Sequence, residues 1–176
     1  MQNLTRTDNL FNKIVELEEA IRRVGTWRNA GLKVGFTNGC FDILHEGHVR
    51  YLTSASDLSN RLIVAINSDA SVKALGKGEN RPVNSETSRQ LVLAAMSVAD
   101  IVIVFNEETP LELIKTLLPD VVIKGGDYDP SERDASSKKY IVGADVMDQT
   151  GGEVAIIPFV DGFSTTKIAF LIYNNT

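Results

Sequence analysis

The chain has 176 residues, 43% of them hydrophobic, a formal charge of −5 and a sequence pI near 5.1. That length and apolar content suit one unit able to bury its own core. The acidic balance excludes a surface that coats nucleic acid or anionic membrane, which needs a basic excess. Residues 1–9 are polar and carry no signal-peptide core, and no later apolar run approaches the roughly 18 residues of a membrane span. A cytoplasmic protein with no nucleic-acid or membrane partner is therefore expected. Cys40 is the sole cysteine, so no internal disulfide can form, and at the end of a strand it reads as a small buried filler.

In chain order, Leu10, Ile14, Leu17, Ile21 and Val24 recur at helical spacing, with Asp8 as N-cap and Gly25 as stop. One amphipathic helix is predicted there. Its apolar face exceeds what a peripheral cap requires, so a symmetric homodimer through it is expected. A short strand follows over 32–36, then a strand-end loop Thr37-Asn38-Gly39, then a helix after Gly47 with apolar residues at Val49, Leu52 and Ala55. Residues 61–67 are a continuous apolar run, the mark of a buried parallel strand, and Ser68-Asp69 cap a short helix. Residues 75–84, rich in Gly, Lys, Asn and Pro, read as a mobile lid. A helix over 85–98, a strand over 101–105, a helix from Pro110 to Leu118 and a strand over 120–124 come next. Residues 129–140 read as a solvated loop, 154–158 as the last strand and 164–173 as the last helix. Strands alternating with helices predict an α/β fold, a single Rossmann-like doubly wound parallel sheet. One domain over 1–176 is expected, with 1–31 as helix and linker and 32–173 as core. Met1 leading into an orderly helix reads as a free-standing gene product.

The only two histidines, His45 and His48, flank Gly47 where the first strand hands over to a helix. That place lies at the carboxyl end of a strand and against a helix N-terminus, both favourable to phosphate. Two imidazoles there can donate to phosphoryl oxygens and stabilise charge that develops on attack. A zinc site would need a third histidine or a second cysteine nearby. Ser164-Thr165-Thr166 supply three hydroxyls at a second helix start, either as an anion site or as simple capping. Lys124 closes a buried strand, where a charge needs a partner such as a substrate phosphate. Asp42, Asp69 and Asp127 stand at strand ends. Each could face sugar hydroxyls, although Asp69 serves equally as a helix cap and Asp42 as a backbone brace.

Gly39-Cys40-Phe41-Asp42, His45-Glu46-Gly47-His48, Arg81-Pro82-Val83-Asn84, Lys124-Gly125-Gly126-Asp127 and Gly162-Phe163-Ser164-Thr165-Thr166 occur in this order. Together with Asn67-Ser68-Asp69 and Gly151-Gly152 they resemble the HxGH nucleotidyltransferases, and within that superfamily the D-glycero-β-D-manno-heptose 1-phosphate adenylyltransferases. The likeness runs from about residue 33 to 168. It implies transfer of AMP from ATP, with Mg²⁺ carried on the triphosphate, to a sugar 1-phosphate; many such relatives carry a sugar-kinase domain fused ahead of this one, and because this sequence carries none a separate kinase is expected to make the acceptor. It also implies roles. His48 lies nearest the α-phosphate beside His45, while Lys77 from the lid and Arg89 from the next helix grip the triphosphate. Thr37, Asn38, Gly39, Phe41, Lys124, Gly125, Asp127 and Ser164 to Thr166 bind the nucleotide. Asp42, Asp69, Arg81 and Lys124 face the acceptor. The attacking phosphate is already ionised, so alignment and charge neutralisation are needed rather than a base. A cytidylyltransferase acting on glycerol 3-phosphate, or a nucleotide-binding regulatory protein, shares these motifs. A class I aminoacyl-tRNA synthetase fragment is disfavoured by size, acidity and the lack of a KMSKS-like lysine loop.

Overall fold

A computed structural model describes residues 4–76, 80–159, 162–165 and 168. The elements run α1 (Arg6–Phe11), α2 (Leu17–Asn29), β1 (Val34–Gly39), α3 (Glu46–Ser56), β2 (Arg61–Asn67) and α4 (Asp69–Ala74). They continue α5 (Glu86–Ala94), β3 (Ile101–Phe105), α6 (Leu111–Leu117), β4 (Val121–Gly125), α7 (Ala144–Thr150) and β5 (Glu153–Ile157). The strands form one all-parallel sheet in the order β3-β2-β1-β4-β5. The expected α/β doubly wound sheet is present.

Alternation along the strands builds two cores. Phe36, Ile63, Ala65, Ile101, Ile103 and Val122 face one side and pack under α2, α6 and α7 through Val24, Ile114, Leu117 and Met147. Leu62, Val64, Ile66, Val102, Val121 and Ile123 face the other side, under Leu52 and Ala55 of α3 and Leu93 of α5. A sheet covered on both faces reads as apolar runs, and β2 is buried over six of its seven positions. Because α3 and α5 cover one face and α6 and α7 the other, chain direction across the sheet reverses between β1 and β4. Crevices of open α/β sheets lie at such a reversal.

Three expectations are corrected. The N-terminal stripe is two helices: Thr5, not Asp8, is the first N-cap, with Asp8 completing its capping box. Gly25 lies inside α2. The break arises because Ile14 bridges Val102, with Val102 N donating to Lys13 O at 2.8 Å and Val15 N to Val102 O at 3.2 Å. These residues cover the exposed edge of β3, a pairing that overrides helical spacing. Second, β1 extends through Thr37, Asn38 and Gly39, because all three pair with β2. Third, α7 is an added helix, held between Gly143 and Gly151, which both adopt positive φ (92° and 74°) as its caps. Its Met147 is fully buried. Met147→Ala is expected to cost about 3 kcal/mol, read as a lower denaturant midpoint at unchanged m-value. A loss under about 0.5 kcal/mol would mean that α7 contributes little to the core.

Candidate active site

The site begins where the β1–β4 ladder stops. Gly35, Phe36 and Thr37 pair with Val121, Val122 and Ile123, and no further β1–β4 pair follows. Beyond that point Asn38 and Gly39 remain paired with β2, whereas Lys124 and Gly125 remain paired with β5. The split opens a cleft of about 550 Å³. Asn38, Gly39, Phe41, His45, His48, Lys124, Gly125, Ser164 and Thr165 line it, which brings together nine of the residues singled out from sequence.

His45 is the N-cap of α3 and His48 sits in its first turn. Their rings stack with centroids 3.8 Å apart and 22° between planes. Phe41, at φ 46°, meets His48 edge-on at 5.4 Å, and Phe163 lies parallel to His45 at 6.1 Å. Gly47 leaves little room between them, since a Cβ there would stand 3.0 Å from Phe163 Cβ and 3.1 Å from the His45 ring. Across the cleft Thr165 Oγ1 is 3.4 Å from His45 Nε2, and Ile168 N donates to Ser164 O at 3.1 Å to start a helical turn. The buried Nδ1 atoms of His45 and His48 have no hydrogen-bond partner of acceptable geometry.

Burial lowers the pKa of both histidines. For His48 burial, reinforced by the neighbouring His45 and opposed in part by the Ile43 carbonyl, holds it at about 4. Both imidazoles are thus neutral at neutral pH in the empty cleft. Lys124 Nζ reaches over the split to Asn38 Oδ1.

Other expected residues lie elsewhere. Thr37 is fully buried, and its hydroxyl shares a 2.6 Å hydrogen bond with Tyr51 OH below the cleft rather than facing nucleotide. Arg89, expected to grip a triphosphate, is 1% exposed and braces the loops instead. It donates to Cys40 O (2.7 Å), Asn84 O (3.1 Å) and Asp69 Oδ1 (2.8 Å), which also occupies Asp69. Asp42 proves to be a brace: its carboxylate accepts from Val83 N and Asn84 N and pairs with Arg81, with no oxygen turned to an acceptor. A buried carboxylate has to be satisfied in this way. Asp127 is exposed and does not line the cleft. Lys77 and Thr166 lie outside the described residues.

Sequence reasoning missed Tyr51, Tyr128, Pro158 and Phe159 in the cleft wall. Tyr51 was recoverable, being three residues beyond His48 on the same helix face; the others come from loops without periodicity. Among the described residues no group of three or more His, Cys, Asp or Glu side chains is placed to hold a metal ion, and no helix is long and apolar enough to cross a membrane.

The free imidazole value is 6.5 and the folded His48 value about 4, so between them the unfolded chain binds the extra proton. Stability from neutral His48 is complete above pH 6.5 and declines as pH falls towards 4. The thermal midpoint should fall over that window, and His48→Gln should flatten the fall. An identical slope in the variant would show that His48 is not held neutral by the fold.

A family model described as cytidylyltransferase-like matches residues 36–169. Among curated relatives, the bifunctional protein HldE of Bradyrhizobium is 50% identical over 157 residues, covering 89% of this chain and 30% of that protein. HldE of Hyphomonas neptunium is 50% identical over 155 residues, 88% of this chain and 30% of that protein. The chain thus spans about three-tenths of the length of these relatives. Among solved structures, a lipopolysaccharide core biosynthesis protein from Thermoplasma volcanium superposes with TM-score 0.56 at 26% identity, over 74% of this chain and 98% of that one. Pantoate-β-alanine ligase from Francisella tularensis shares the fold alone, at TM-score 0.51 and 13% identity, over 92% of this chain and 77% of that one. The matched span opens within β1 and closes beyond Thr165, so it holds both sides of the split sheet and the stacked histidines; the chain belongs to the cytidylyltransferase-like family of nucleotidyltransferases.

Proposed function

We propose that the chain transfers AMP from MgATP to D-glycero-D-manno-heptose 1-phosphate, giving ADP-heptose and pyrophosphate for lipopolysaccharide or another surface glycan. The observation that carries a transfer reaction is the stacked His45–His48 pair facing Thr165 over one cleft. An acceptor phosphate oxygen attacks the α-phosphorus, the new P–O bond forms, and the bond to the β-phosphate bridging oxygen breaks to release pyrophosphate. No proton is removed from the attacking group. His45 and His48 donate to the α-phosphoryl oxygens, and Ser164 and Thr165 hold the outer phosphates with Thr166 and Lys77. Asn38, Gly39, Phe41 and Gly125 shape the nucleotide side, Lys124 meets phosphate charge, and the family resemblance assigns Asp127 to the ribose. Mg²⁺ enters as part of the nucleotide and relies on phosphate oxygens and water.

The choice of heptose 1-phosphate is supported by relatives at half identity named as bifunctional HldE proteins and by the lipopolysaccharide core biosynthesis neighbour. The acceptor is the product of a sugar kinase, made in the cytoplasm where ATP and sugar phosphates meet. A homodimer through α2 is supported by Leu17 and Ile21, which are 39% and 43% exposed although Ala20 and Val24 on the same helix are buried.

Assaying ATP, CTP, GTP and UTP against heptose 1-phosphate and glycerol 3-phosphate, with pyrophosphate release as readout, should give ATP with heptose 1-phosphate as the best pair. A preference for CTP with glycerol 3-phosphate would make the chain a cytidylyltransferase, and no turnover with any pair would leave nucleotide binding alone. His48→Ala should lower kcat by about a hundredfold or more with nucleotide KM within a few-fold, because its contribution grows with transition-state charge. Equal losses in both would contradict that role. By light scattering the full chain should be dimeric at micromolar concentration and Leu17→Asp monomeric; a monomeric full chain would rule the dimer out.

A further inference from the structure

Tyr51 stands at the apex of the split. Its hydroxyl donates to Ile123 O at 3.1 Å and shares a 2.6 Å hydrogen bond with Thr37 Oγ1. A phenol has one proton, so with that proton on Ile123 O the Thr37 hydroxyl is the donor to Tyr51. Thr37 and Ile123 are the last pair of the β1–β4 ladder. The hydroxyl therefore ties α3 to both strands at the place where they part. The ring also sets the wall above it, since a Cβ on Gly125 would lie 2.9 Å from Tyr51 Cε2. One helical turn back along α3 is His48. Burial pushes the Tyr51 phenol up to about 12, so it remains a donor throughout any working pH range and takes no part in proton transfer.

We infer that Tyr51 is a positioning residue for the transfer reaction, a wedge whose hydroxyl fixes where β1 and β4 separate and so sets the width of the cleft between His48 and Lys124. The inference rests on the proposed transferase reading. Ring and hydroxyl act differently: the ring keeps Gly125 at its distance, and the hydroxyl holds the two strands in register beneath the reacting phosphates. Misplacement by about 1 Å at such a distance from the chemistry is enough to cost up to a hundredfold in rate.

The test compares Tyr51→Phe, Thr37→Val, their double variant and Thr37→Ser in the full chain, at a temperature well below every thermal midpoint. Tyr51→Phe and Thr37→Val should each lower kcat by about tenfold or more with KM for MgATP changed less than about threefold. The double variant should be little worse than either, and Thr37→Ser, which keeps the hydroxyl, should retain most of the rate. Full kcat in Tyr51→Phe despite a lowered midpoint, or additive losses in the double variant, would overturn the proposal. A second readout is independent of turnover. With only two histidines in the chain, imidazole Cε1–H resonances can be followed by NMR titration and assigned with a His45→Asn variant. Tyr51→Phe should move the His48 titration upward as its burial loosens. If the wild type transfers nothing, the transferase reading fails by itself, and an unmoved His48 titration then rejects the wedge as well.

Discussion

The parting of β1 from β4 is the constraint on which the rest of the site depends. A parallel sheet whose crossover helices change face between two neighbouring strands cannot be covered at the carboxyl end of that seam, because each helix leads away from it. Here the ladder ends at Thr37 and Ile123, and each strand continues with its outer neighbour. The backbone ladder between these two strands does not continue beyond this pair. Instead Asn38 and Lys124 span the gap and the imidazoles of α3 close one side.

Around that gap the charged residues divide by burial. Asp42 with Arg81, and the buried guanidinium of Arg89 on Cys40 O and Asn84 O, hold the loop before α5 to the loop after β1, while the half-buried Asp69 pairs with Arg89 from the start of α4. Removing one member of such a pair strands the other in a medium that solvates it poorly, so these pairs fix geometry far better than they could exchange ligands. Among the described residues, groups facing the cleft are of another kind: neutral imidazoles, hydroxyls and Lys124 bound to an amide oxygen. The frame and the lining are thus made of different chemistry, and both lie within the span that the family model matches.

The sheet was legible because buried parallel strands leave an unmistakable signature: Ile101 to Phe105 and Arg61 to Asn67 coincide with β3 and β2. The histidine turn and the Ser164-Thr165 stretch were legible because residue types and spacing alone put them at helix starts. What failed was burial of charge. Nothing in the position of Arg89 on a helix tells whether its guanidinium points out to phosphate or in to the carbonyls of Cys40 and Asn84, since both satisfy it equally. Asp42 posed the same choice, and three donors from residues 81 to 84, brought near by a long connection, settled it. The N-terminal helix failed for a related reason: the spacing of Ile14 is helical, but its backbone is claimed by the edge of β3.

The low basicity of the histidines then follows from the same architecture. Loss of solvent at the head of α3 lowers the pKa of both rings, and for His48 the neighbouring His45, stacked 3.8 Å away, adds repulsion to a second proton. A negative charge beside the rings would shift this balance, because it favours the protonated ring that the empty cleft disfavours. Anion binding and protonation of the imidazoles would then be linked. A permanently cationic pair would attract any anion that entered, whereas a pair held neutral by burial takes on charge only at a cost that a seated anion would have to offset.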